Sequence, residues 1–387
     1  MTLPIVVAGG GLAGAAASCL LARAGRHVVV FERDAAAADK ICGEFISIEA
    51  RTYLERIGLG LAELGAHPIQ EFRLARGRAV VSCALPFTGL GLSRRVLDEA
   101  LLNHASRCGA EVRRGHAVKP RRDRDPIVLE VGGDEVRTES LFLATGKHDL
   151  RGVRRDAAAP PDLVGFKLHF RLTEAQRAAL AGAVEILLMA DGYAGLQPVE
   201  DGMANLCLLV GGDRLRRLGG GWDSVFEDLM RTEPHLRQRL AGATPASRPM
   251  SIYRVPFGFV HAPIPDDAPN LFRLGDQMGV IPSFTGDGMS IALHSAVMAA
   301  SCYLAGTSAA DYHARMRNDI AGQVARAGLF NRIGRSGVGQ TALMRLAQTW
   351  PGGLRVAARL TRLPDQAVVR LLAVAMTQGR TSGVALA

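Results

Sequence analysis

The sequence has few aromatics, no paired cysteines and no long apolar runs. Aromatics make up 5% of the 387 residues, and tryptophan occurs only at Trp222 and Trp350. No nucleic-acid module is present either, so the net charge of +9 is not read as a nucleic-acid footprint. The six cysteines (19, 42, 83, 108, 207 and 302) form no C-x-x-C pair. Without a dithiol motif or a secretory leader, a reduced, cytoplasmic setting is expected. There is no H-E-x-x-H and no Cys/His cluster at metal-ligand spacing, so no metal site is expected. A G-x-S-x-G nucleophile elbow is also missing. No apolar run approaches the roughly 20 residues that span a bilayer.

Acidic residues are absent over 320–364, where seven arginines fall: Arg326, Arg332, Arg335, Arg345, Arg355, Arg359 and Arg362. Apolar residues interleave with them, as in ALMRLAQTW and LRVAARLTRL. One reading is a solvated basic face on C-terminal helices. The other is a surface for an anionic membrane or a carrier protein.

What is present begins at the N-terminus. Residues 3–8 read as a buried parallel strand, followed by Gly9-x-Gly11-x-x-Gly14, a helix to about Ala24 and a second strand ending at Glu32. In this βαβ pattern Gly9 allows the tight turn and Gly11 admits a pyrophosphate to the backbone. Gly14 lets helix and sheet pack closely. The helix N-terminus offers free N–H groups to phosphate, and Glu32 offers a carboxylate to ribose hydroxyls. Residues 92–108 read as an amphipathic helix capped by Ser93, and 141–144 as another buried strand, ending at Thr145-Gly146. Residues 111–118 and 127–136 look like neighbouring strands.

Residues 151–161 read as a linker. Residues 165–263 read as short strands, one helix near 173–180 and loops, making a mixed sheet with helices on one side. The segment LFRLGDQMGVIPSFTGDGMSIALHSA, 271–296, is a strand, a Gly-rich loop and a helix from about Asp287. Asp276 can bind ribityl hydroxyls there. After Gly275-Asp276, Gly279, Pro282, Gly286 and Gly288 leave the loop bare, and the helix start favours the negative charge of a reduced flavin.

The order of GxGxxG…Glu32, Ser93-Arg94…Asp98, Ala144-Thr145-Gly146 and the Gly275-Asp276 segment resembles the FAD enzymes that include para-hydroxybenzoate hydroxylase and the geranylgeranyl reductases. The resemblance runs to about residue 305. It implies a cofactor, FAD, with Arg94 beside it and further contacts at Leu12, Ala13, Arg33, Gly43, Asp287 and Met289. The stretch CGEFIS from Cys42 is similar to a Cys-Gly segment that faces the flavin in geranylgeranyl reductases. Tyr193, Pro198, Gly202 and Asn205 match a further pattern of that family. Gly195 stands where the family carries Trp, which removes a flat wall and implies a differently shaped or bulkier substrate.

The fold expected is α/β: a Rossmann-type FAD-binding domain (1–65, 91–155, 265–308), an inserted mixed β-sheet substrate domain (66–90, 156–264) and a C-terminal helical region (309–387). Cys42, Glu44 and Tyr193 are the candidate catalytic residues. His294 is read as packed, and His148 as a loop residue. The resemblance implies an oxidoreductase that reduces carbon–carbon double bonds of an apolar, isoprenoid or polyketide-like substrate, free or carrier-bound. A monooxygenase acting on aromatics or polyketides through a flavin C4a-hydroperoxide is the alternative. A third reading is a flavoprotein that passes electrons or chaperones a carrier-bound substrate. The W-x-W-x-I-P signature of flavin-dependent halogenases is absent, which argues against chlorination. No second GxGxxG unit is evident, so NAD(P)H binding transiently, or a reduced carrier, would supply electrons.

Overall fold

The computed structural model describes residues 3–122, 127–150, 153–155, 157, 161–262 and 268–381. The first sheet is five-stranded and parallel. Its order is Leu271–Arg273, Ser140–Leu143, Ile5–Ala8, Val28–Glu32 and Glu111–Arg114. The three inner strands are buried along their whole length, as expected of a parallel sheet covered on both faces. The helices Leu12–Arg23, Arg94–Arg107 and Gly288–Leu304 cover one face. The antiparallel strands Val118–Arg122, Ile127–Val131 and Asp134–Thr138 cover the other.

Two stretches read as neighbouring strands are therefore four strands in two sheets. Glu111–Arg114 closes the edge of the parallel sheet, and Gly115 then turns the chain away with φ +76°. The second stretch folds back on itself at Gly132-Gly133.

The second sheet has nine strands. In order they are Thr244–Pro245, Leu163–Arg171, Met203–Gly211, Gly192–Pro198, Ala183–Met189, His67–Arg76, Ala79–Gly91 and Phe45–Ile46, with Met250–Tyr253 beside Leu163–Arg171. All pairs are antiparallel except Ala183–Met189 with His67–Arg76, so the sheet is mixed. Strand alternation decides its two faces. In LVGFKLHFR, the residues Val164, Phe166, Leu168 and Phe170 join a core with the helices Trp222–Thr232 and Pro234–Arg239. Gly165, Lys167 and His169 face the opposite way, with Asn205 and Cys207 of the next strand.

Within the stretch read from sequence as short strands, one helix and loops, residues 212–239 hold three further helices: Gly212–Arg217, Trp222–Thr232 and Pro234–Arg239. Gly219, Gly220 and Gly221, all at positive φ, separate the first two and break the periodicity. The helices Ala309–Arg335, Gly337–Thr349, Gly352–Leu360 and Asp365–Thr381 finish the described chain. Met344, Ala347 and Leu354 of this set pack on Leu74, Val81 and Leu188 of the second sheet. The linker read over 151–161 lies largely outside the described residues.

Candidate active site

The glycine pattern sits where the first strand meets the first helix. Gly9 has φ +107°, and a Cβ there would lie 2.4 Å from the Ala144 carbonyl oxygen. A Cβ on Gly14 would lie 1.9 Å from Gly9 O, so helix and strand touch only because position 14 is glycine. Gly11 caps the helix without any side-chain bond, which leaves the first N–H groups of Leu12 and Ala13 open. At the end of the next strand Glu32 is pinned by Gly10 N (2.7 Å) and Asp34 N (2.9 Å).

Gly9, Gly11, Leu12, Ala13 and Glu32 line a cavity of about 660 Å³, together with Arg33, Cys42, Gly43, Arg94, Thr145 and Gly146. Gly275, Asp276, Gly286, Gly288 and Met289 complete its far side. The bare glycine cradle, the open helix start and the fixed Glu32 carboxylate suit a dinucleotide's pyrophosphate and ribose. Arg94 makes a bidentate pair with Asp98, 2.7 Å at both bonds, beside the Cys42 thiol. Burial opposes the Arg94 charge, but Asp98 outweighs it and the pKa rises. Burial likewise opposes Lys147, whose pKa is nonetheless raised by Asp276, 3.3 Å away.

Cys42 is half-buried on the cavity wall. Its loop is held from the second sheet. Asn205 Nδ2 donates to the Cys42 carbonyl at 3.0 Å and to the Gly43 carbonyl at 2.9 Å. Glu44 adopts φ +63°, unusual for a residue with a side chain. Its amide meets Cys42 Sγ at 3.4 Å. The Glu44 carboxylate is wholly buried, accepting from Arg94 N (2.8 Å), His169 Nε2 (2.7 Å) and Lys167 Nζ. Burial alone would raise its pKa, but the His169 hydrogen bond and the Lys167 charge hold it below the ordinary value. Glu44, expected as a catalytic residue, is thus an anchor of the Cys42 loop. Asp39, Glu44 and His169 approach one another at metal-ligand distances. Lys167 Nζ, bonded to Glu44 and 3.7 Å from Asp39, already supplies the positive charge there.

Four residues expected at the cofactor or the chemistry stand behind the cavity wall. Gly14 serves helix–strand packing. Pro282 is buried one residue before Ser283, which does line the cavity. The Tyr193 hydroxyl bonds Ser283 Oγ and its ring meets Phe284 edge-on. Burial pushes the phenol's pKa up, so it stays protonated. The Asp287 carboxylate turns toward the C-terminal helices, accepting from Gln323 Nε2 (2.6 Å) and Leu363 N (3.1 Å).

Lys167, His169 and Lys147 escaped sequence reading. The signal for the first two was a lysine and a histidine inside an otherwise apolar strand, since buried charges are paired. His294 is buried between Tyr53 (2.6 Å) and Asp319 (3.0 Å), as its packed reading expected. His148 follows the Gly146 turn and reaches the cavity edge.

Comparison with known proteins decides the cofactor. Residues 2–142 match the FAD binding domain family. The chain is a FAD-dependent enzyme. It is 26% identical over 312 residues to the menaquinone reductase of Mycobacterium tuberculosis, spanning 76% of this chain and 75% of that protein. With the menaquinone reductase of Mycolicibacterium smegmatis the identity is 24% over 325 residues, spanning 78% and 76%. A flavin-dependent brominase superposes with a TM-score of 0.77 at 16% identity, over 98% of this chain and 100% of that one. That likeness is one of fold. The expected resemblance therefore holds at the level of FAD-dependent flavoproteins of the para-hydroxybenzoate hydroxylase type. No helix among the described residues is long and apolar enough to cross a membrane.

Proposed function

We propose that this enzyme reduces a carbon–carbon double bond in an apolar substrate of the isoprenoid class. The observation that carries the reading is the Cys42-Gly43 loop, fixed on the cavity wall by Asn205 and Glu44. The menaquinone reductase relatives support it, because a menaquinone joins a quinone to an apolar, unsaturated chain. The wall supports it too, with Phe45, Leu209, Ile252, Val255, Phe257 and Ile281 offering apolar surface.

Bound and reduced, FAD supplies the hydride. This chain's part is to orient and exclude. Asn205 fixes the backbone that carries the thiol, and Glu44 fixes the turn after it. In this reading the thiol of Cys42, on the cavity wall, gives the second alkene carbon its proton, which solvent then restores. NAD(P)H or a reduced carrier would refill the electrons.

The test is a Cys42→Ser variant, reduced with dithionite and mixed anaerobically with a polyprenyl quinone. It should hold FAD as the wild type does but form the chain-reduced lipid at least about tenfold more slowly, since a serine hydroxyl is a far weaker acid. A wild-type rate would overturn the proton-donor role.

A further inference from the structure

The C-terminal helices carry a surface that the FAD site does not use. Leu329 and Ile333 lie one turn apart on the helix Ala309–Arg335, and both are exposed. On Gly337–Thr349, Met344 and Ala347 point inward, while Val338, Arg345 and Leu346 point out. On Gly352–Leu360, Leu354 points inward, while Arg355, Val356, Arg359 and Leu360 point out. Trp350 stands between these two helices, 54% exposed, with Leu346 at 53% and Val338 at 84%. Such large exposed side chains are unusual when gathered into one short stretch of chain.

The charges around them are of one sign. No Asp or Glu occurs over 320–364. Two of the arginines are used internally. Arg362 pairs with Glu49 and lies over the Phe87 ring, 4.1 Å from its centroid, and Arg326 donates to the Leu360 carbonyl at 2.6 Å. Arg332, Arg345, Arg355 and Arg359 are exposed and form no ion pair among the described residues.

We propose that this face docks on an anionic membrane surface. Aliphatic side chains and a tryptophan would enter the interfacial layer, and the arginines would meet lipid phosphates. The chemistry favours lipid over an acidic carrier protein. The apolar groups are irregular and spread over three successive helices, which a fluid interface accepts without a matching surface. A protein partner would have to supply complementary pockets. The inference is independent of which substrate the cavity takes.

The experiment is sedimentation of the full-length protein with vesicles of phosphatidylcholine alone or mixed with phosphatidylglycerol. The protein should bind the anionic vesicles and be released by salt. A triple variant, Arg345→Gln, Arg355→Gln and Arg359→Gln, should partition on the order of 100-fold more weakly, at roughly tenfold or less per charge. Leu346→Gln with Trp350→Ala should weaken binding further without changing its salt dependence. FAD content and circular dichroism of each variant check the fold. Equal binding of wild type and triple variant would overturn the proposal. So would binding to an acidic carrier protein with none to anionic vesicles.

Discussion

Asn205 holds Cys42 in place from the second sheet: its Nδ2 donates to the Cys42 carbonyl at 3.0 Å, bridging 163 residues of sequence. The same nitrogen reaches Gly43 O at 2.9 Å. Among the described residues no other hydrogen bond to either carbonyl is found. Asn205→Ala should therefore cost about 2 kcal/mol of stability and loosen the loop at the cavity wall. Thermal unfolding and FAD titration check this, with FAD affinity expected to fall by roughly tenfold or more. Asn205→Asp should be worse, since it sets a carboxylate against two carbonyl oxygens.

Glu44→Gln leaves the Lys167 ammonium buried with one strong partner fewer. Removing one member of a buried pair costs about 3–5 kcal/mol. The double variant Glu44→Gln, Lys167→Met should recover part of that loss, which urea unfolding would measure. Because the Glu44 pKa is lowered in the folded state, its contribution is complete above the ordinary carboxylate pKa and disappears as pH falls through the folded value. Wild type should thus lose stability in acid more steeply than the Glu44→Gln protein.

The glycines at the cofactor cradle separate packing from binding. A methyl on Gly14 meets Gly9 O at 1.9 Å, so Gly14→Ala should fail to fold or fold without FAD. A methyl on Gly11 finds its nearest atoms, on Arg94 and Asp98, at 3.7 Å. Gly11→Ala should fold normally yet bind FAD roughly 100-fold more weakly, because the methyl occupies the pyrophosphate's approach. Flavin absorbance of the purified variants, beside their melting temperatures, distinguishes the two.

Asp287 gives the opposite pH signature to Glu44. Burial pushes its pKa up to about 7, with Glu49 adding to the rise and Arg362 opposing it. Its contribution to stability is complete below the ordinary value of 3.8 and is lost as pH rises through about 7. Between pH 5 and 8 the melting temperature of wild type should fall relative to that of Asp287→Asn. Parallel curves would show that Asp287 does not titrate in this window.

The nucleotide half of the site was legible because its signals are local. Gly9, Gly11, Gly14 and Glu32 stand within one βαβ unit, and the Gly275-Asp276 loop runs straight into its helix. The neighbours of Cys42 were not legible. Lys167 and His169 reach Glu44 from strand residues 123 and 125 positions away, and only tertiary pairing brings them there. The turn of Asp287 toward Leu363 likewise depends on how the C-terminal helices close over the loop. Tyr193 matched a family pattern by spacing, while packing set its ring behind Ser283. Helices 212–239 were hidden because three consecutive glycines interrupt their periodicity.

The most direct measurement of the central claim is the product of one anaerobic turnover. The dithionite-reduced enzyme is mixed with a polyprenyl quinone in the absence of oxygen, and the extracted lipid, re-oxidised so that any quinol returns to quinone, is weighed by mass spectrometry. The account predicts re-oxidised flavin and a product carrying two added hydrogens on its isoprenoid chain. Flavin that stays reduced until air is admitted, with a product that then gains oxygen, would contradict it.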